Sequence, residues 1–247
     1  MAKIIAIAQH KGGTGKTTTT LNLGFGLATA GKKVLMIDMD AQANLTESLT
    51  SEDVDNRNMY HYMTLKNPDP EALFIRENLY LLPSSIDLAG AETEINAVPN
   101  RDFILRHIIR KLPGYDFILI DCPPSLGVLT LNSLMCADEV IVPMQAELLP
   151  MKGLLRLIDV LSLISVMTNR DIPVSGILIT MVQDTVLNRD LTAQLRQTYG
   201  EKVFPGVIRR NVAITEAVLS KQSIFEYAPG SNGAKDYAEV VEQVLNR

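Results

Sequence analysis

An apolar stretch, Ile4-Ile5-Ala6-Ile7-Ala8, runs almost directly into His10-Lys11-Gly12-Gly13-Thr14-Gly15-Lys16-Thr17-Thr18, and a helical pattern begins immediately behind it. Few features restrict a chain more. Three glycines within residues 12–15 let backbone amides turn inward and approach an anion closely. The N-terminus of the following helix adds partial positive charge at the same place. In loops of the pattern G-x-x-x-x-G-K-[ST], the lysine reaches the β- and γ-phosphates and the hydroxyl reaches Mg²⁺. Lys16 and Thr17 hold those two positions here, and Gly12, Gly13, Thr14, Gly15 and Thr18 complete the cradle. The pattern's first glycine is replaced by His10, and a second lysine, Lys11, stands at the start of the loop.

Short apolar runs alternate with helical patterns along all 247 residues, without an internal repeat or a Gly/Ser linker. Strands are expected at Lys3–Gln9, Lys33–Asp38, Leu79–Pro83, Phe117–Asp121, Glu139–Pro143 and Ser175–Met181, with a short one near Val203–Ile208. Most are rich in Ile, Val and Leu without strict alternation, as strands buried on both faces should be. Helices are expected at Gly15–Ala30, Arg101–Lys111, Val128–Cys136, Met151–Thr168, Asn188–Tyr199 and Lys235–Asn246. The polar, proline-containing segment Ser51–Pro70 reads as a surface excursion. The pattern therefore predicts a single α/β domain over 1–247: a P-loop NTPase with a mostly parallel twisted sheet flanked by helices on both faces. Ligands of such sheets bind beyond the carboxyl ends of the strands.

Acids stand where a nucleotide hydrolase needs them. Phe117-Ile118-Leu119-Ile120-Asp121 is four apolar residues ending in a carboxylate. Asp121 is a candidate Mg²⁺ holder, through water, or simply a strand-end acid; the phosphate loop upstream favours the first. Mg²⁺ on a triphosphate keeps several waters and takes few protein ligands. Hydrolysis also needs a group that orients the attacking water. The second strand ends Asp38-Met39-Asp40-Ala41-Gln42, offering two more carboxylates.

Lys11-Gly12-Gly13-Thr14-Gly15-Lys16-Thr17-Thr18 resembles the deviant Walker A motif of the ParA/MinD ATPases, closest to the ParA/Soj partition and McdA-like positioning members. The resemblance implies ATP and Mg²⁺ as cofactors, and a Lys11 that reaches a partner's nucleotide across a dimer interface. Asp38-Met39-Asp40-Ala41-Gln42 resembles the family's D-x-D-P-Q, with Ala41 in place of proline. That likeness implies that Asp40 positions the hydrolytic water beside Mg²⁺, while Asp38 supports the loop or orders Lys11. Asp121-Cys122-Pro123-Pro124-Ser125 resembles D-x-P-P-S, and Val142-Pro143-Met144-Gln145-Ala146-Glu147 resembles V-P-x-Q-x-E. Gly176–Met181 resembles a G-x-L-x-T-M strand beside the base, which makes Thr180 and Met181 candidate nucleotide contacts. Arg210-Asn211-Val212 with Thr215-Glu216-Ala217 resembles R-N-V-x-x-[ST]-E-A, although Arg209 replaces a proline near the adenine contacts. Lys152 stands where many relatives have Glu. It is either a solvated first-turn lysine or, as in carboxysome-positioning relatives, part of the nucleotide sandwich.

Composition narrows the function further. No apolar run approaches the ~18 residues of a membrane span, and the short apolar start is too brief for a signal-peptide core. Cys122 and Cys136 form no CxxC pair. The nitrogenase iron protein, an iron–sulfur relative, needs a cysteine where Pro124 stands, so both thiols read as buried and inert. A MinD-like membrane association would need a basic amphipathic tail. Here Tyr237, Ala238, Val241, Val244 and Leu245 form a stripe whose opposite face is mainly acidic, which predicts a helix packed on the body.

The net charge of −5 excludes a chain basic all over but not a local basic patch. Arg101, Arg106, Arg110 and Lys111 share one predicted helix, and Arg189, Arg196, Lys202, Arg209, Arg210 and Lys221 lie toward the C-terminus. By resemblance, Arg189, Arg196, Arg209, Arg210 and Lys221 are the candidate DNA contacts, doubled in a homodimer. The expectation is a cytoplasmic, nucleoid-associated ATPase that binds DNA non-specifically as an ATP-bound sandwich dimer. A ParB-like or adaptor protein would stimulate its hydrolysis, and a plasmid, a chromosome or a carboxysome would be its cargo. The competing class is a metabolic or metal-cluster P-loop enzyme that spends ATP on substrate phosphorylation or cluster transfer.

Overall fold

The computed structural model describes residues 2–146 and 150–247, apart from the side chains at 150–152. In chain order the elements are β1 (Lys3–Ile7), α1 (Lys16–Thr29), β2 (Val34–Asp38), α2 (Asn44–Glu47), α3 (Met59–Met63), β3 (Leu73–Arg76), β4 (Leu79–Leu82), α4 (Leu88–Glu94), α5 (Ile104–Arg110), β5 (Phe117–Asp121), α6 (Val128–Cys136), β6 (Glu139–Gln145), α7 (Pro150–Thr168), β7 (Val174–Thr180), α8 (Val186–Tyr199), α9 (Val212–Leu219), α10 (Ile224–Tyr227) and α11 (Asn232–Leu245). The seven strands form one sheet in the order β3-β4-β2-β5-β1-β6-β7. Every neighbouring pair is parallel except β3 with β4 at the edge. The mostly parallel α/β sheet is the one that the strand–helix alternation predicts.

Period-two geometry sends successive strand residues to opposite faces, and both faces are covered. Ile5, Ile7, Val34, Met36, Phe117, Leu119 and Ile141 pack with Leu21, Leu23 and Leu27 of α1 and with Tyr237, Val240, Val241 and Val244 of α11. Ala6, Leu35, Ile37, Ile118, Ile120, Val140 and Val142 meet Leu105 and Ile108 of α5, Leu134 of α6 and Leu157 and Ile164 of α7. Each such Leu or Ile contributes about 1.5–3 kcal/mol when taken wholly out of water. The C-terminal helix is thus laid on the body: Tyr237, Val241 and Val244 of the expected stripe are buried together with Val240, whereas Ala238 is exposed and Leu245 half-buried, and the Tyr237 hydroxyl lies 3.4 Å from Thr19 Oγ1 of α1. No helix among the described residues is long and apolar enough to cross a membrane.

Some expectations change. Val203–Ile208 is not a strand; only isolated bridges pair Val203 with Ile177 and Arg209 with Val182. Pro205 within it has no N–H to give a ladder. The edge strand β3 escaped the sequence pattern because Phe74 and Arg76 point to solvent and leave only a short, half-apolar run. Helices α2, α3, α4, α9 and α10 also escaped it, being too short for a clear period; α3 lies within 51–70, and its buried Met59, Tyr62 and Met63 make that segment part of the core rather than a surface excursion throughout. Helix α8 begins at Val186, ahead of the expected Asn188, because Thr185 Oγ1 accepts from the Asn188 N–H at 3.2 Å and caps the start.

Candidate functional site

β1 lies between β5 and β6, so the loop that leaves it emerges at the middle of the sheet's carboxyl edge. Gly13 (φ 71°) and Gly15 (φ 91°) are both left-handed, which an L side chain adopts only with strain. Gly15 then opens α1. Lys16 is buried, and its Nζ lies 3.4 Å from the Lys11 carbonyl, which also accepts from Thr14 Oγ1 at 3.4 Å. The ammonium is therefore folded back over the loop itself. Thr180, at the end of β7, donates to the Thr14 carbonyl at 2.8 Å.

The carboxylates gather at the same edge. Asp38 and Asp121 are register partners at the ends of β2 and β5, and both are buried. Asp38 Oδ2 accepts from the Thr46 amide at 2.9 Å and from Thr46 Oγ1 at 2.8 Å, while Oδ1 accepts from the Asp40 amide at 3.1 Å. Burial nevertheless pushes its pKa up to about 6. Asp121 accepts one long hydrogen bond, 3.5 Å from Thr20 Oγ1, and its Oδ2 is buried without a partner. Burial, then the nearby Asp38 charge, raises its pKa well above the carboxylate range, with the Thr17 hydroxyl and Lys16 pulling the other way. An orphaned buried carboxylate oxygen close to a threonine hydroxyl is what a hydrated, hard dication would satisfy. Asp40 is only partly buried, with Oδ1 accepting from the Gln42 amide at 3.0 Å and its carbonyl accepting from Ser84 Oγ at 2.7 Å.

A cleft of about 780 Å³ opens beside the loop. Gly15 and Thr18 form one wall, Gln145, Thr180 and Met181 another, and Arg209 to Val212 a third. Arg209 faces it while held by the Asp236 carboxylate, its amide and Nε at 2.9 and 3.1 Å from Oδ2. Cys122 and Cys136 are both buried thiols, Cys122 pushed up to about 12 and Cys136 higher still by burial. No metal-holding cluster of His, Cys, Asp or Glu occurs among the described residues.

Lys16, Thr17, Asp40 and Asp121 thus come together at one sheet edge, with the Lys11 backbone, Thr180 and Met181 beside them. The expected basic residues are more scattered. Arg189 on α8 pairs with Asp184, and Arg196 donates to the Pro205 carbonyl at 2.6 Å. Arg210 is exposed at the cleft rim. Lys221 donates to the Thr50 carbonyl at 2.7 Å and to Ser51 Oγ. The side chain of Lys152 lies outside the described residues. Sequence reasoning passed over Thr46 and Ser84, which brace the Asp38–Asp40 turn. Their only mark in the sequence is a small hydroxyl residue near a motif.

A family model described as "AAA domain" matches residues 2–174. The chromosome-partitioning ATPase Soj of Thermus thermophilus is 41% identical over 98% of this chain and 95% of its own length. The sporulation initiation inhibitor protein Soj of Bacillus subtilis is 38% identical over 99% of this chain and 98% of its own. The chain belongs to the ParA/Soj family of ATPases. Among solved structures, a ParA/Soj-like fold with a TM-score of 0.85 is seen in cobyrinic acid a,c-diamide synthase from Mycobacterium smegmatis with bound ATP analogue and magnesium. It is 34% identical and covers 100% of this chain and 95% of its own. The ParA/Soj assignment agrees with the phosphate loop, the seven-stranded sheet and the position of the acids at its carboxyl edge.

Proposed function

We propose that this protein is an ATP-driven partition ATPase: two copies close on ATP, hold DNA without sequence preference, and let go when a partner protein speeds hydrolysis. The observation that carries the reading is the Asp121 carboxylate, buried and half unpartnered beside Thr17 and Lys16, in a chain matched end to end by Soj proteins.

In this reading the loop amides and the α1 N-terminus bind the phosphates, and Lys16 swings from the Lys11 carbonyl onto the β- and γ-phosphates. Thr17 and Asp121 would hold Mg²⁺. The ion would offset charge on the β- and γ-oxygens. Asp40, on the partly open turn, orients the attacking water. Thr180 and Met181 border the base in the cleft. Lys11 crosses to the partner's triphosphate, where a cation offsets the repulsion of two facing nucleotides. Lys152 is assigned to the same sandwich only if its loss weakens the dimer. Arg189, Arg196, Arg209, Arg210 and Lys221, doubled by the dimer, supply phosphate contacts to DNA. The protein then works on the nucleoid in the cytoplasm, and its cargo is a replicon marked by a ParB-like adaptor.

The likeness to the M. smegmatis synthase favours a second reading, a biosynthetic enzyme that activates a substrate with ATP. One experiment separates the two. A fluorescent random-sequence duplex is titrated with protein under ATP, ADP or no nucleotide, and phosphate release is followed with no metabolite added. Partition chemistry predicts binding under ATP alone, weakened on the order of 10³-fold between about 50 and 200 mM salt, with slow metabolite-independent turnover. Nucleotide-independent binding, or a strong preference for one operator, would contradict it. Turnover only with an added small substrate would favour the synthase.

A further inference from the structure

Two side chains from adjacent strand ends hold two consecutive carbonyls of the phosphate loop. Gln145, the last residue of β6, donates from Nε2 to the Gly13 carbonyl at 2.7 Å. Thr180, the last residue of β7, donates from Oγ1 to the Thr14 carbonyl at 2.8 Å. Gln145 and Thr180 are register partners, so one rung of the sheet presents both donors side by side. The Gln145 amide cannot simply be turned over. Its nitrogen also faces Met181 Sδ at 3.1 Å, so both contacts need N–H and neither accepts a carbonyl oxygen in its place. Met181 is brought there by a left-handed backbone (φ 55°), unfavourable for a side chain of that size.

The consequence follows from planarity. In a trans peptide the C=O and the N–H of one unit point in opposite directions. A Gly13 carbonyl drawn toward Gln145 therefore turns the Thr14 N–H the other way. A Thr14 carbonyl drawn toward Thr180 does the same to the Gly15 N–H. These two amides lie in the loop that precedes Lys16, where a polyphosphate would be cradled. Gly13 and Gly15, both left-handed, leave this segment free to flip in the absence of such a tether.

We propose that Gln145 and Thr180 are positioning residues that fix the Thr14 and Gly15 amides in their anion-binding orientation, before any nucleotide arrives. The proposal rests on the nucleotide reading above. It adds that the far ends of β6 and β7, not the loop sequence alone, set phosphate affinity. Neither residue need touch the phosphates; each acts through a carbonyl on the opposite side of the peptide.

The test measures binding of fluorescent ADP and ATP analogues, and of AMP by competition, to wild type, Thr180→Val, Thr180→Ser, Gln145→Met and Gln145→Glu, with melting temperatures alongside. Thr180→Val keeps shape and loses the donor; Thr180→Ser keeps the donor and loses the methyl. The clamp predicts roughly tenfold weaker ADP and ATP for Thr180→Val and Gln145→Met, near wild-type affinity for Thr180→Ser, and the largest loss for Gln145→Glu. AMP, which does not reach as far along the loop, should change least. A merely packing role would instead weaken Thr180→Ser more than the isosteric Thr180→Val, in step with melting temperature, and would overturn the proposal. So would wild-type ADP affinity in both Thr180→Val and Gln145→Met. Failure of wild type itself to bind nucleotide would refute the nucleotide reading as well, a result distinct from these.

Discussion

Asp38 and Asp121 stand opposite each other at the ends of β2 and β5, two buried carboxylates on adjacent strands. Asp38 is saturated by Thr46 and the Asp40 amide, whereas Asp121 keeps one oxygen without a partner. The asymmetry divides their work. One carboxylate is built into a turn, and the other keeps a buried oxygen unsatisfied.

That pairing predicts a pH dependence. Burial raises Asp38 to about 6 in the folded, nucleotide-free protein, above its ordinary 3.8. A carboxyl raised on folding binds its proton more tightly in the native state. Its contribution is therefore fully present below pH 4 and lost as pH rises through about 6, an effect on the order of 3 kcal/mol. Urea denaturation of wild type and Asp38→Asn from pH 4 to 7 should show a steeper decline in wild type than in the variant, which keeps only the contribution of buried Asp121. Parallel slopes would show that Asp38 ionises normally.

Asp40 lies outside the buried pair, on a turn braced by Ser84. Asp40→Ala should bind ATP nearly as wild type does, because Lys16, Thr17 and Asp121 remain, but its turnover should fall by at least about 10²-fold. Lys16→Ala should instead lose nucleotide affinity. Single-turnover phosphate release alongside equilibrium binding distinguishes them. Wild-type turnover in Asp40→Ala would move the water-orienting role elsewhere.

Packing carries a prediction of its own. Gly176 in β7 leaves room for the buried ring of Phe204: a Cβ there would lie 2.0 Å from the ring edge. Gly176→Ala should cost about 1–3 kcal/mol or more. Phe204→Leu should recover part of that loss, a coupling that denaturation of the double variant would measure. Independent, additive costs would argue against the contact.

Much of this was legible in the residues because the signals are local and dense. The apolar β1 run, the glycines of 12–15 and Lys16 specify a strand, a turn and a helix start within a few residues. Asp121 announces itself through the four apolar residues before it. The bracing hydroxyls of Thr46 and Ser84 were not legible, since a threonine in a polar stretch has no marked pattern. Their partners, Asp38 and the Asp40 carbonyl, lie 8 and 44 residues away. Gln145 could be read as part of a motif but not as a clamp, because its contact with Gly13 spans 132 residues and exists only once β6 and the loop are side by side. The stretch at 203–208 misled for the reverse reason: it is apolar enough for a strand, yet it supplies only a single bridge, from Val203 to Ile177 of β7.

In the proposed partition cycle, ATP joins two copies through Lys11, at the start of the phosphate loop. Sedimentation velocity of Asp40→Ala with ATP and Mg²⁺, compared with Asp40→Ala carrying Lys11→Ala, tests it most directly. Asp40→Ala should sediment as a dimer with ATP and as a monomer with ADP. The Lys11→Ala derivative should remain monomeric while still binding ATP, because the cation that offsets two facing triphosphates is gone while Lys16 still holds its own. A Lys11→Ala derivative that dimerises as tightly as its parent would contradict the account.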